Sequence, residues 1–183
     1  ERLSGTLVPY TFMKDISILL EESSLQMISY KWHQKYLGLA KHVATWSKDP
    51  SKQIGAVAVG DVGEILATGF NGLPRGIEDT EFRLTNREEK YKLVVHAEMN
   101  CIYNATHNGV SLSGATLYVW GLPVCSECAK GVIQVGIKHV VMPKDEDVIP
   151  LKWAQSFMAT ADMFNEAGVT YEKISLSGWN ESI

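Results

Sequence analysis

The sequence predicts an α/β sandwich built on a mixed five-stranded sheet. Three observations predict it. Two short apolar segments, residues 54–59 and 64–70, flank Gly60-Asp61-Val62-Gly63 and read as a hairpin. Three further strand-like segments follow at residues 115–120, 139–142 and 169–174. Helical patterns alternate with those three, and such alternation brings strands side by side in parallel. An antiparallel hairpin joined to a parallel run makes the sheet mixed.

The elements are taken in chain order. Residues 1–14 carry no periodicity and read as an arm, and residues 15–27 fit a short helix. Residues 29–47 give a stronger helical pattern, with Trp32, Tyr36, Leu39, Val43 and Trp46 recurring at threes and fours. That spacing predicts one buried face. Pro50 ends the helix, because it disfavours helical geometry at Asp49. After the hairpin, residues 71–87 read as one long Gly/Pro/Asp-bearing loop, a feature that usually serves function. Helices are predicted over 96–107, over 125–136 with Gly136 in the left-handed C′ position, and over 151–166 closed by Gly168.

Composition narrows the function. The chain of 183 residues is the size of one domain, with 45% hydrophobic and 21% charged residues. No apolar run approaches the length that crosses a bilayer, and residues 1–30 lack the pattern of a secretion signal. A cytoplasmic protein without a membrane partner is expected. The net charge is −4, and the basic groups are small, such as Lys48 and Lys52. Partners of nucleic acid usually carry a basic face, so a nucleic-acid partner is not expected. A mononucleotide needs only one or two local cations. The three cysteines, Cys101, Cys125 and Cys128, do not form a disulfide framework; one close pair suits a metal or redox role in a reducing compartment.

Two segments carry chemistry: His96-Ala97-Glu98 and Pro123-Val124-Cys125-Ser126-Glu127-Cys128. Each opens a predicted helix. Cysteines three apart share one face of a first turn, and a helix N-terminus favours their thiolates. Cys125, Cys128 and His96 together make three ligands for Zn²⁺, leaving a fourth position for water, as catalytic zinc sites do. Zinc lowers the pKa of such a water toward neutrality. Glu98, two residues past His96, is placed to receive its proton. An H-x-E segment followed by a C-x-x-C segment is the pattern of zinc deaminases. His33, His42, His107 and His139 read as surface or helix-end residues, and no spare cysteine supports a second zinc.

Four stretches make the match specific: Ser47-Lys48-Asp49-Pro50-Ser51-Lys52-Gln53-Ile54-Gly55-Ala56, Gly69-Phe70-Asn71-Gly72-Leu73-Pro74-Arg75-Gly76-Ile77-Glu78-Asp79, His96-Ala97-Glu98-Met99-Asn100, and Cys125-Ser126-Glu127-Cys128-Ala129-Lys130. With these the chain resembles the deoxycytidylate deaminases of the cytidine deaminase superfamily over about residues 30–170. The resemblance implies a three-layer α/β/α deaminase domain over 31–175, with residues 1–30 as an N-terminal arm and 176–183 as a tail. It implies hydrolytic conversion of dCMP to dUMP and ammonia, which supplies thymidylate synthesis. Glu98 would pass a proton from water to N3 of the cytosine and another to the departing amine. The N–H of Ala97 would hold the base carbonyl, and Asn71 would touch the sugar. Ser47 and Lys48 are candidates for the phosphate, with Arg75, Arg87 and Lys90 as further cations. The long loop, through Gly72, Pro74, Gly76, Asp79 and Arg87, would contribute to an allosteric site where dCTP with Mg²⁺ activates and dTTP inhibits, in a homohexamer. Two features depart from the family pattern. Val124 stands between Pro123 and Cys125, and residues 143–152 hold no Tyr to cover the substrate. A modified dCMP, dCTP or cytidine as substrate, a tRNA or single-strand deaminase, and a non-catalytic zinc module stay open as other readings.

Overall fold

The structure is a computed structural model that describes residues 29–144 and 153–176. The expectations for residues 1–28, 145–152 and 177–183, including the short helix over 15–27, lie outside the described residues. The chain divides into two compact units, Glu1–Trp32 and His33–Ile183, and the site lies in the second.

Six helices and five strands alternate among the described residues: α1 (Tyr30–Ala44), β1 (Gly55–Val59), β2 (Ile65–Phe70), α2 (Glu81–Thr85), α3 (Arg87–Leu93), α4 (Ala97–His107), β3 (Thr116–Trp120), α5 (Ser126–Gln134), β4 (His139–Pro143), α6 (Ala154–Ala167) and β5 (Thr170–Ile174). The sheet order is β2-β1-β3-β4-β5. β1 pairs antiparallel with β2 and β3, whereas β3–β4 and β4–β5 are parallel. The mixed five-stranded sheet is as the sequence predicts.

Helices cover both faces. Paired residues on neighbouring strands share a face, so Gly55 and Phe70 lie on one side, Ala56 and Gly69 on the other. On the first side α1 runs against β1: a Cβ on Gly55 would lie 2.6 Å from the Ala44 nitrogen and closer still to the Ala40 carbonyl. On the second side β2 meets α4 just as closely at Gly69. Ala56, Ala58, Leu117, Val119 and Val140 join Cys101, Val132 and Phe164 there in the main apolar cluster, which binds α4, α5 and α6 to the sheet.

Two expectations are corrected. The buried face of α1 is Tyr36, Leu37, Ala40, Val43 and Ala44, while Trp32 and Trp46 are half exposed at 48% and 50%. Small alanines, not the tryptophans, face the strand because the approach is too tight for a large ring. The long loop also contains structure. Thr80 and Asn86 accept N-capping bonds from Arg83 N–H and Glu89 N–H, and these caps start α2 and α3.

Candidate active site

The N-termini of α4 and α5 meet. His96 is the N-cap of α4 and Cys125 the N-cap of α5, each in extended backbone with ψ of 155° and 165°. α4 is fixed to edge strand β2 by two asparagines. Asn100 donates to the Phe70 carbonyl at 2.7 Å and Asn104 to the Thr68 carbonyl at 2.6 Å.

His96 Nδ1 lies 3.4 Å from Cys125 Sγ and 3.3 Å from Cys128 Sγ, and the three donor atoms all lie within 4.8 Å of one another. With Zn–S near 2.3 Å and Zn–N near 2.0 Å, a tetrahedral centre sets such N and S atoms about 3.5 Å apart. The residues therefore fit zinc. Their chemistry agrees, because the three donors compete for too few protons. The Cys128 thiol and then His96 pull Cys125 down to about 4, which favours its thiolate. Hydrogen bonding to Cys125 and burial push Cys128 up, and the Cys125 sulfur pushes His96 up. Electron pairs aimed at one point are what a cation requires.

Glu98 sits in the first turn of α4 and is 4% exposed. Burial raises its carboxyl to about 7, against the opposing pull of its own backbone N–H and of His96. A carboxyl that exchanges its proton near neutrality is suited to general acid–base work. Ala97, also fully buried, is the first residue of α4, where backbone N–H groups have no partner within the helix.

The other expected residues gather in two places. Asn71 is 5% exposed and engaged with the loop between α1 and β1. Its Oδ1 accepts from Ile54 N–H at 2.8 Å; its Nδ2 donates to the Lys52 carbonyl at 3.0 Å and to Asp49 Oδ2 at 3.2 Å. Ser47, 3% exposed, donates to the Asn71 carbonyl at 2.7 Å. Lys48 pairs with Asp79 at 2.7 Å. Lys48, Asp79, Gly72, Pro74 and Gly76 line one cavity of about 270 Å³, together with Lys90. Arg87 is not part of it; its guanidinium lies over the Tyr91 ring. None of His96, Glu98, Cys125 and Cys128 lines this cavity.

Sequence reasoning missed what holds these pieces. Lys90, 8% exposed, donates to Asp49 Oδ1 and Ser51 Oγ at 3.1 Å each, tying α3 to the loop before β1. A lysine in a stretch of mixed charge gives no sign of such burial. Ser156 and Thr160 of α6 grip the segment around Cys125; only their spacing of four, which sets them on one helix face, was visible beforehand.

An α/β/α fold with a His, two Cys and a buried Glu at two helix N-termini has the makeup of the zinc deaminases, and the His and two Cys could hold a metal ion. Residues 30–144 match the family described as the cytidine and deoxycytidylate deaminase zinc-binding region. The chain is 39% identical to the human (Homo sapiens) deoxycytidylate deaminase over 150 residues, covering 78% of this chain and 79% of that one. It is 38% identical to an uncharacterised deaminase of Aliivibrio fischeri, over 78% and 92% of the two chains. The solved dCMP deaminase of cyanophage S-TIM5, in complex with dCMP and dUMP, superposes with a TM-score of 0.62 at 25% identity, over 81% of this chain and all of that one. The chain belongs to the cytidine and deoxycytidylate deaminase family.

Proposed function

We propose that the protein hydrolyses dCMP to dUMP and ammonia, with zinc held by His96 Nδ1, Cys125 and Cys128. The observation that carries this reading is the buried Glu98 beside a donor set of zinc dimensions. Bound zinc supplies a water that is nucleophilic at neutral pH. The chain's own groups do the rest. Glu98 would take a proton from the water and pass it to N3 of the cytosine as the oxygen adds to C4, then take the second proton from that oxygen and pass it to the amine as the C4–N bond breaks, leaving a carbonyl and ammonia. Its carboxyl near 7 suits both roles. The Ala97 N–H receives the base carbonyl. Asn71, whose amide is taken up by residues 49–54, acts in substrate binding by fixing, together with Ser47, the loop that presents Lys48.

The cavity beside the long loop carries the regulatory part of the reading. Arg75 gives it a cation for a polyphosphate, and Asp79 gives it a carboxylate for Mg²⁺. dCTP would activate and dTTP inhibit there, in a homohexamer, with the dUMP formed feeding thymidylate synthesis in the cytoplasm. Among the described residues no helix is long and apolar enough to cross a membrane.

Ammonia release is the test, measured on dCMP, CMP, deoxycytidine, dCTP and 5-methyl-dCMP, each with and without dCTP plus Mg²⁺. Turnover of dCMP, raised by dCTP, is expected. Turnover confined to another member of the panel reassigns the substrate. Silence across the panel with one zinc per chain overturns the nucleotide reading.

A further inference from the structure

Helix α6 carries no zinc ligand, yet it holds the segment that does. Thr160 is 7% exposed, and its hydroxyl hydrogen faces two carbonyls, Val124 at 2.9 Å and Ser156 at 3.1 Å. Ser156 Oγ accepts from Ser126 N–H at 2.9 Å and lies 3.0 Å from Ser126 Oγ. Ser156 and Thr160 are one turn apart on α6, so they share a face and reach the chain together. Their targets, Val124 and Ser126, are the two neighbours of Cys125.

The grip answers a local need. Ser126 is the first residue of α5, and its N–H has no partner within that helix. N-cap side chains reach the N–H of the second or third helical residue rather than the first, and the N-cap here is Cys125, whose sulfur faces His96. Ser156 supplies the bond from another helix. Val124 is the residue that separates Pro123 from Cys125, and it is 2% exposed, packed in the main cluster. Its carbonyl would be a buried acceptor without Thr160.

We infer that Thr160 and Ser156 are positioning residues for the metal centre: they fix the backbone on both sides of Cys125 and so set where its sulfur stands relative to His96 and Cys128. The inference rests on the zinc reading of that group. Groups that orient a ligand from behind typically contribute 10- to 100-fold to metal affinity.

The experiment uses the full chain with zinc, then with Co²⁺ in its place. Thr160→Val keeps shape and removes the hydroxyl, Thr160→Ser restores the hydroxyl, and Ser156→Ala removes the other bond. Thr160→Val is expected to lose zinc to a chelator about tenfold faster than wild type and to shift the sulfur-to-cobalt absorption band, with Thr160→Ser restoring both. Ser156→Ala moves the same two readouts in the same direction. Wild-type release rates and an unmoved band in Ser156→Ala, together with folded Thr160→Val behaving likewise, overturn the inference. If Thr160→Val fails to fold, Ser156→Ala alone decides. A wild-type protein that takes up no zinc and shows no sulfur-to-cobalt band instead sinks the zinc reading itself.

Discussion

Gly69→Ala tests how the sheet sets the metal centre. Gly69 lies on β2, and the backbone of α4 passes directly over it. A Cβ at this position would lie 2.8 Å from the Asn100 carbonyl carbon and closer still to the Ala97 oxygen and the Cys101 nitrogen. Ordinary contact begins at 3.4 Å. All three obstacles are helix backbone, so no rotamer change relieves them. α4 must move away from β2 by roughly 1 Å, a case of overpacking that costs typically 1–3 kcal/mol. The same movement carries His96 and Glu98, at the start of α4, away from Cys125 and Cys128 on α5. A displacement near 1 Å at a reacting centre costs on the order of 100-fold in rate. Urea denaturation, zinc content and dCMP turnover are measured on one preparation. The expected result is a lower midpoint, weaker zinc retention and turnover reduced about 100-fold. A variant with the wild-type midpoint and wild-type turnover refutes the reasoning, because it shows that α4 is free to move without consequence.

Three further outcomes follow from the same geometry. Glu98→Gln keeps one zinc per chain while turnover falls about 10²- to 10⁴-fold, since the ligands remain and the proton carrier is gone; metal analysis beside ammonia release checks it, and near-wild-type turnover defeats the mechanism. Lys90→Met removes the counter-charge of Asp49, whose side chain is 9% exposed, and is expected to destabilise by about 3 kcal/mol in urea, as breaking one partner of a buried pair does; a change below about 0.5 kcal/mol would contradict the buried-pair reading. His33 titrates below its ordinary value, chiefly through burial, with Glu172 opposing and His139 assisting; Tyr118 bonds its Nδ1 at 2.9 Å. Between the folded and unfolded pKa values the unfolded chain binds more protons, so stability is complete above about 6.5 and declines as pH falls through that window. Unfolding free energy followed from pH 8 to 5 should therefore lose part of its slope in His33→Asn, and an unchanged slope assigns the pH dependence elsewhere.

The chemistry was the most legible part of the sequence because it is local. His96 and Glu98 sit two apart, Cys125 and Cys128 three apart, and each pair lies in one helix start. Strands were legible for the same reason: β1 and β3 are apolar runs bounded by turn residues, and Gly136 takes the left-handed φ of 82° that ends α5. What stayed hidden depends on partners distant in the chain. The buried face of α1 is decided by the close approach of Gly55, which favours Ala40 and Ala44 over the more hydrophobic tryptophans. α2 and α3 have only five and seven residues, too few for a periodic signal, and their caps, Thr80 and Asn86, read equally well as loop residues. The bond from Thr160 to Val124 spans 36 positions, and that from Lys90 to Asp49 spans 41. No window of a single helix or strand contains both ends.

The meeting of two helix N-termini also accounts for how so much charge is kept in a buried place. On the proposed reading, a zinc dication held by two thiolates would be neutral, a neutral imidazole would add nothing, and an ionised Glu98 would leave one negative charge. The N-termini of α4 and α5 each act as roughly half a positive charge within their first turns. Together they offset that one charge where it sits. Glu98 is the group for which this balance is closest. Burial favours its neutral form, while its backbone N–H favours the ionised one, and the outcome is a carboxyl near 7. A deeper pocket without the helix start would hold the proton too firmly to pass it on, and an exposed carboxylate would ionise too readily to carry one to the base. Mounting Glu98 in the first turn of α4, two residues after His96, is therefore what would let one side chain serve as both acceptor and donor of the same proton.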